Sequence, residues 1–229
     1  MKTGYWPALR GAFLTILTLF GGLLIGLVAG DIVFRLIPGS SITDVKLGHA
    51  AIAAIPAFGG FLAGGAAWGA QMGRMAGAHN TRRMAWAGTL GFGPITVALA
   101  AGLGVAEPML VAQFGAAGQP IHRAFTLFFV PSAFLIAGIS AWAIGMGLRD
   151  KQLAWSLFWQ VGLTAAATFL AVNLIMESLG WVVGAPGAAQ RATMVTVLAI
   201  GNICAALSGG AMMGWKLAKV NKDTENDIR

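Results

Sequence analysis

The stretch that decides the fold is residues 60–77, GFLAGGAAWGAQMGRMAG. Gly65, Gly69, Gly73 and Gly77 recur at every fourth residue, so on a helix they form one stripe. A stripe without side chains lets a second helix approach to backbone contact. Helices associate this way where lipid supplies little hydrophobic drive between them. The stretch continues an apolar run and ends in a basic segment, Arg74 to Arg83. It therefore reads as the cytoplasmic half of a membrane-spanning helix.

The surrounding composition points the same way. Of 229 residues, 57% are hydrophobic and 10% are charged, against about 25% charged in a soluble domain. Too few charges remain to cover a water-facing surface. Several apolar runs reach the roughly 20 residues that cross a bilayer as a helix. They are continuous rather than alternating, which selects helices over a closed barrel. The predicted fold is an all-α integral membrane protein with six transmembrane helices, at about 9–37, 48–77, 84–107, 122–148, 153–181 and 192–220. These form one domain, 1–220, followed by a polar tail, 221–229. The first apolar run is too long for a signal peptide and is read as a retained helix. Pro56 and Pro131 fall inside the second and fourth spans, where each removes a backbone bond.

Orientation follows from the Lys and Arg residues between spans. With the N-terminus inside, 11 of them lie on the inner side, and 4 (Arg35, Lys46, Arg123, Arg191) lie on the outer side. Both termini are thus expected in the cytoplasm, and a bacterial inner membrane is the expected location. The net charge of +7 reflects this one-sided bias and not a nucleic-acid surface. The single cysteine, Cys204, excludes an internal disulfide and a Cys-based metal cluster.

The second and fourth spans share a pattern. At an offset of 74, Gly64, Ala67, Trp68, Met72 and Gly73 meet Gly138, Ala141, Trp142, Met146 and Gly147. At a further 67, Met213 and Gly214 follow, and Gly210 falls under Ala143. The chain reads as three helical hairpins, about 9–78, 84–148 and 153–220, related by duplication. Gly65, Gly69, Gly73, Gly147, Gly210 and Gly214 are the expected helix-packing positions. Gly73, Gly147 and Gly214 are expected at one depth, facing the inside of the bundle.

Asp31, Glu107 and Glu177 sit near the outer ends of the odd spans, and His49 and His122 open two even ones. Ionisable groups at membrane depth are expensive and often functional. Solvation at the interface, or pairing such as Asp31 with Arg35, is the first reading of these five. A site for an ion or a proton is the alternative. Asn173, Asn202, Ser140 and Ser208 are polar groups inside spans and are expected to bond to their own helices. No phosphate loop, nucleophile elbow or dinucleotide fingerprint is present. No cofactor and no catalytic residue is expected.

Two functions follow. The first is a non-catalytic subunit or scaffold of a membrane complex, whose partners are the bilayer and other subunits or further copies of this chain. The alternative is a small transporter or channel for an ion, proton or small solute.

Overall fold

The computed structural model describes residues 5–37, 47–96 with 98, 121–181 and 188–227. They form six helices, and no strand occurs among them. Helix α1, Tyr5–Leu36, contains one π-helical turn, Ile16–Phe20. Then come α2 (Leu47–Met75), α3 (81–96), α4 (Ile121–Gly147), α5 (Lys151–Ser178) and α6 (Ala188–Asp227). Among the described residues, four stretches are long and apolar enough to cross a membrane: Tyr5–Leu36, Phe125–Gly147, Lys151–Ser178 and Thr196–Asn221.

Local chemistry sets the ends. Asn80 caps α3, its Oδ1 accepting from the Arg83 N–H at 2.9 Å, and Asp150 caps α5 by accepting from the Leu153 N–H at 2.8 Å. Gly77, at φ +72°, turns the chain out of α2, and Ala78 N–H closes back on Gly73 O at 2.9 Å. Arg149 performs the same turn after α4 at φ 64° without being glycine. Pro56 and Pro131 lie within helices that continue through them.

Packing follows chain order and closes on itself. α1 packs on α2, α4 on α5, α5 on α6, and α6 returns to α1. Glycines bring α2 to α3, since a Cβ on Gly69 would lie 2.8 Å from Gly88 Cα. Ser140 and Ala143 of α4 meet Gly91 of α3. The result is a ring of six helices.

One end of the ring is sealed. Met72, Met84, Ile144, Leu157, Met213 and Leu217 are each 0% exposed and belong to one cluster. This end carries Gly77 beside Asn221, and Gly73 and Gly147 against Met84. Outward faces are apolar as well: Leu24, Ile25, Leu90, Leu127, Leu163 and Leu174 are all exposed. Water would penalise such a surface, whereas lipid accepts it.

Several expectations shift. α6 runs on through the expected tail as far as Asp227, because no Gly or Pro between Trp215 and Asp227 stops it. α1 and α5 begin a few residues earlier than expected. The π turn had no sequence signal. Gly73, Gly147 and Gly214 do not share a central face. Gly73 and Gly147 abut Met84 of α3, whereas Gly214 abuts Pro7 and Gly11 of α1. Each small residue accommodates its own neighbouring helix, because close approach is a pairwise demand.

Candidate functional site

A partly open cavity of about 370 Å³ lies within the ring. All six helices line it. Thr15, Leu19 and Phe20 come from α1, Phe61 and Trp68 from α2, and Phe92 and Thr96 from α3. Phe129, Ala137 and Ser140 come from α4, Val161 from α5, and Asn202 and Ala206 from α6. Trp68 lies one turn from the buried Met72, so the sealed end forms the cavity floor. The π turn places Leu19 and Phe20 on the wall. π turns recur at functional sites.

The wall's polar groups are mostly committed. Trp68 Nε1 donates to Thr15 Oγ1 at 3.0 Å, and Thr15 Oγ1 donates to Gly11 O at 2.8 Å. Thr96 Oγ1 donates to Phe92 O at 2.7 Å. Ser140 Oγ donates to Ile136 O at 2.6 Å, with Gly91 O at 3.3 Å. Asn202 Nδ2 donates to Leu198 O at 2.8 Å. No Asp, Glu, Lys, Arg or His is among the described lining residues. The described lining can therefore hold an apolar body and offer oxygen acceptors, and it carries no charge to set against another.

No protein family, curated protein or solved structure matches this chain.

The acidic and histidine positions lie elsewhere. Asp31 Oδ2 accepts from Arg35 Nε at 2.8 Å along one face of α1, with both side chains more than half exposed. Glu177 Oε1 accepts from Arg123 Nε at 3.0 Å and from Nη2 at 2.6 Å, joining α5 to α4. Both carboxylates thus hold arginine partners. Glu107 lies outside the described residues. His49 and His122 stand in the first turns of α2 and α4, and their side chains lie outside the described ones. Among the described residues, no three His, Cys, Asp or Glu side chains gather.

The in-span polar residues behave as their chemistry predicts. Ser140, Asn173, Asn202 and Ser208 each donate to a carbonyl three or four residues back. Sequence reasoning missed that Ser140 and Asn202 face one cavity. It also missed the Thr15–Trp68 bond, whose partners are 53 residues apart with no shared spacing.

Proposed function

We propose that the chain is a small membrane transporter whose solute site is the central cavity. One observation carries this reading: the cavity is walled by every helix of the ring. A protein packed only for stability fills its axis, because each empty volume forfeits contacts. Here the floor is fully packed and the space above it is open. That arrangement fits a carrier closed at one end.

The finer architecture belongs to the same proposal: six spans, built as three hairpins, with both termini in the cytoplasm of a bacterial inner-membrane protein. Two features support the duplication. Asn80 and Asp150, the caps of α3 and α5, are 70 residues apart. Gly88 packs on Gly65 and Gly69 as Gly11 packs on Gly210 and Gly214, with a Cβ on either 2.8 Å or less from the second partner's Cα. This pairing aligns Gly69 with Gly214, one helical turn from the alignment read in the sequence. In this proposal Asp31 and Glu177 tie helices or stand at the interface, and the solute enters the cavity instead.

A subunit role is the second reading. It rests on the aromatic ridge of α4 and α5, where Trp155 and Trp159 are more than half exposed and touch Phe158. Such a ridge could abut another membrane helix.

Cysteine access separates the two. With Cys204→Ala as background, Phe61→Cys is placed on the cavity wall. A membrane-impermeant maleimide should label it from one face of the vesicle, and Ala137→Phe should block that labelling. Protection from both faces, at all times up to hours, would overturn the transporter reading.

A further inference from the structure

We infer that the central cavity takes an uncharged, largely apolar molecule bearing a hydroxyl group, and that Asn202 is the residue that recognises the hydroxyl. This rests on the transporter reading and specifies its solute class. At about 370 Å³, the cavity lies at the small end of the range of roughly 300–1,000 Å³ typical of ligand pockets. Phe20, Phe61, Phe92 and Phe129 supply much of its wall, with Phe61 and Phe92 in ring contact at 6.0 Å. Flat apolar bodies suit such a wall.

The described wall holds no counter-charge for an ion. An ion entering the cavity would shed its water and meet no partner of opposite sign among the described lining residues.

The remaining hydrogen-bond capacity sets the functional group. Trp68, Thr15, Thr96 and Ser140 have directed their protons to protein oxygens. The three hydroxyls leave lone pairs toward the cavity, and Trp68, a donor only, has spent its proton on Thr15. Asn202 is half-buried, and its orientation is set by Leu198 O, which requires Nδ2 and not Oδ1 on that side. Oδ1 accepts from none of the described residues. Asn202 thus offers one strong acceptor and one remaining amide hydrogen. A hydroxyl is both a donor and an acceptor, so it can use the two together. An ether supplies no proton for Oδ1 or for the hydroxyl oxygens elsewhere on the wall. A quaternary ammonium could rest on the aromatic faces, but it would give Asn202 nothing to bind.

The test is equilibrium dialysis of the full chain in nanodiscs, corrected against empty nanodiscs. The probes are 2-naphthol, its methyl ether 2-methoxynaphthalene, and trimethyl(2-naphthyl)ammonium. 2-Naphthol should bind about tenfold more tightly than the ether, the size of one neutral hydrogen bond. Asn202→Leu should bring the two to equal affinity, and Ala206→Phe should remove both. Monodisperse elution and helical content check that each variant folds. If Asn202→Leu does not fold, Asn202→Ala takes its place and should likewise bring the two probes to equal affinity. Equal binding of naphthol and ether by the native chain overturns the inference. So does tightest binding of the ammonium, or retention of naphthol by Ala206→Phe. Failure of the transporter reading appears separately, in the cysteine labelling, which uses no ligand.

Discussion

At the scale of single residues, the glycines fall into two groups that the sequence presents alike. Gly88 sits in a crossing where an added Cβ would lie 2.7 Å from Gly69 Cα and 2.8 Å from Gly69 N. Backbone atoms cannot swing aside as a side chain does, so the helices must separate. Gly59 lies on α2, the helix that carries Gly69, yet nothing lies within 4 Å of an added Cβ there. Gly88→Ala should therefore destabilise the protein by about 1–3 kcal/mol, as overpacking does. Gly59→Ala should be neutral or stabilising by up to about 1 kcal/mol, from helix propensity alone. Thermal unfolding in a mild detergent measures both, and equal effects would remove the close-approach argument. Four-residue spacing announces that some helix comes close. It does not say which one, because that depends on the partner's own gaps. Gly65 and Gly69 found α3, whereas Gly60 and Gly64 of the same helix found Gly22 and Gly26 of α1.

At the scale of elements, the π turn in α1 resolves a geometric conflict. Gly11 packs against α6 through Gly210 and Gly214, while Gly22 packs against α2 through Gly60 and Gly64. The two glycines are 11 residues apart. In an unbroken α-helix that spacing would put them within about 20° of one face. One helix face cannot serve two neighbours on different sides. The extra residue of the π turn rotates the segments relative to each other by roughly 100°. α1 can then bridge α6 and α2 and close the ring. Deleting Leu17, which is 56% exposed and makes little packing contact of its own, restores a plain helix. That deletion should break one of the two glycine crossings and lower the unfolding midpoint far more than Leu17→Ala does. Similar midpoints for the two variants would mean that the turn is incidental. Thr15 and Thr18 flank or occupy this turn and donate to the Gly11 and Leu14 carbonyls. Hydroxyls bonded to carbonyls four residues back are common in ordinary helices, so they gave the sequence reading no sign of the irregularity.

At the scale of the whole molecule, the helical class and the positions of the helices were legible, because apolar length and charged gaps are properties of each segment alone. The ring and its cavity were not, because they depend on which faces meet. Trp68 and Trp142 align in sequence at an offset of 74, yet Trp68 bonds Thr15 at the cavity while Trp142 contacts Trp155. The acidic and histidine positions drew attention because ionisable groups are easy to see in an apolar chain. The cavity is lined instead by Phe, Ala, Ser and Asn residues that look ordinary in any span. Orientation is where the sequence bias and the packed floor can be tested together. Gly77 meets Asn221, and Gly147 meets Met84, so the helix ends and turns carrying Arg74, Arg82, Arg83, Arg149 and Lys151 gather at the floor end with the C-terminal part of α6. Arg35 and Arg123 belong to the other end of their helices. If the positive charge sets the topology, cysteines at Asn80 and Lys151 should react with an impermeant reagent in inside-out vesicles only. A cysteine at Arg35 should react in right-side-out vesicles only. Asn80 and Lys151 reacting from opposite faces would break the hairpin arrangement itself. All three positions reversed together would keep the ring and invert it, placing the sealed floor on the outer side.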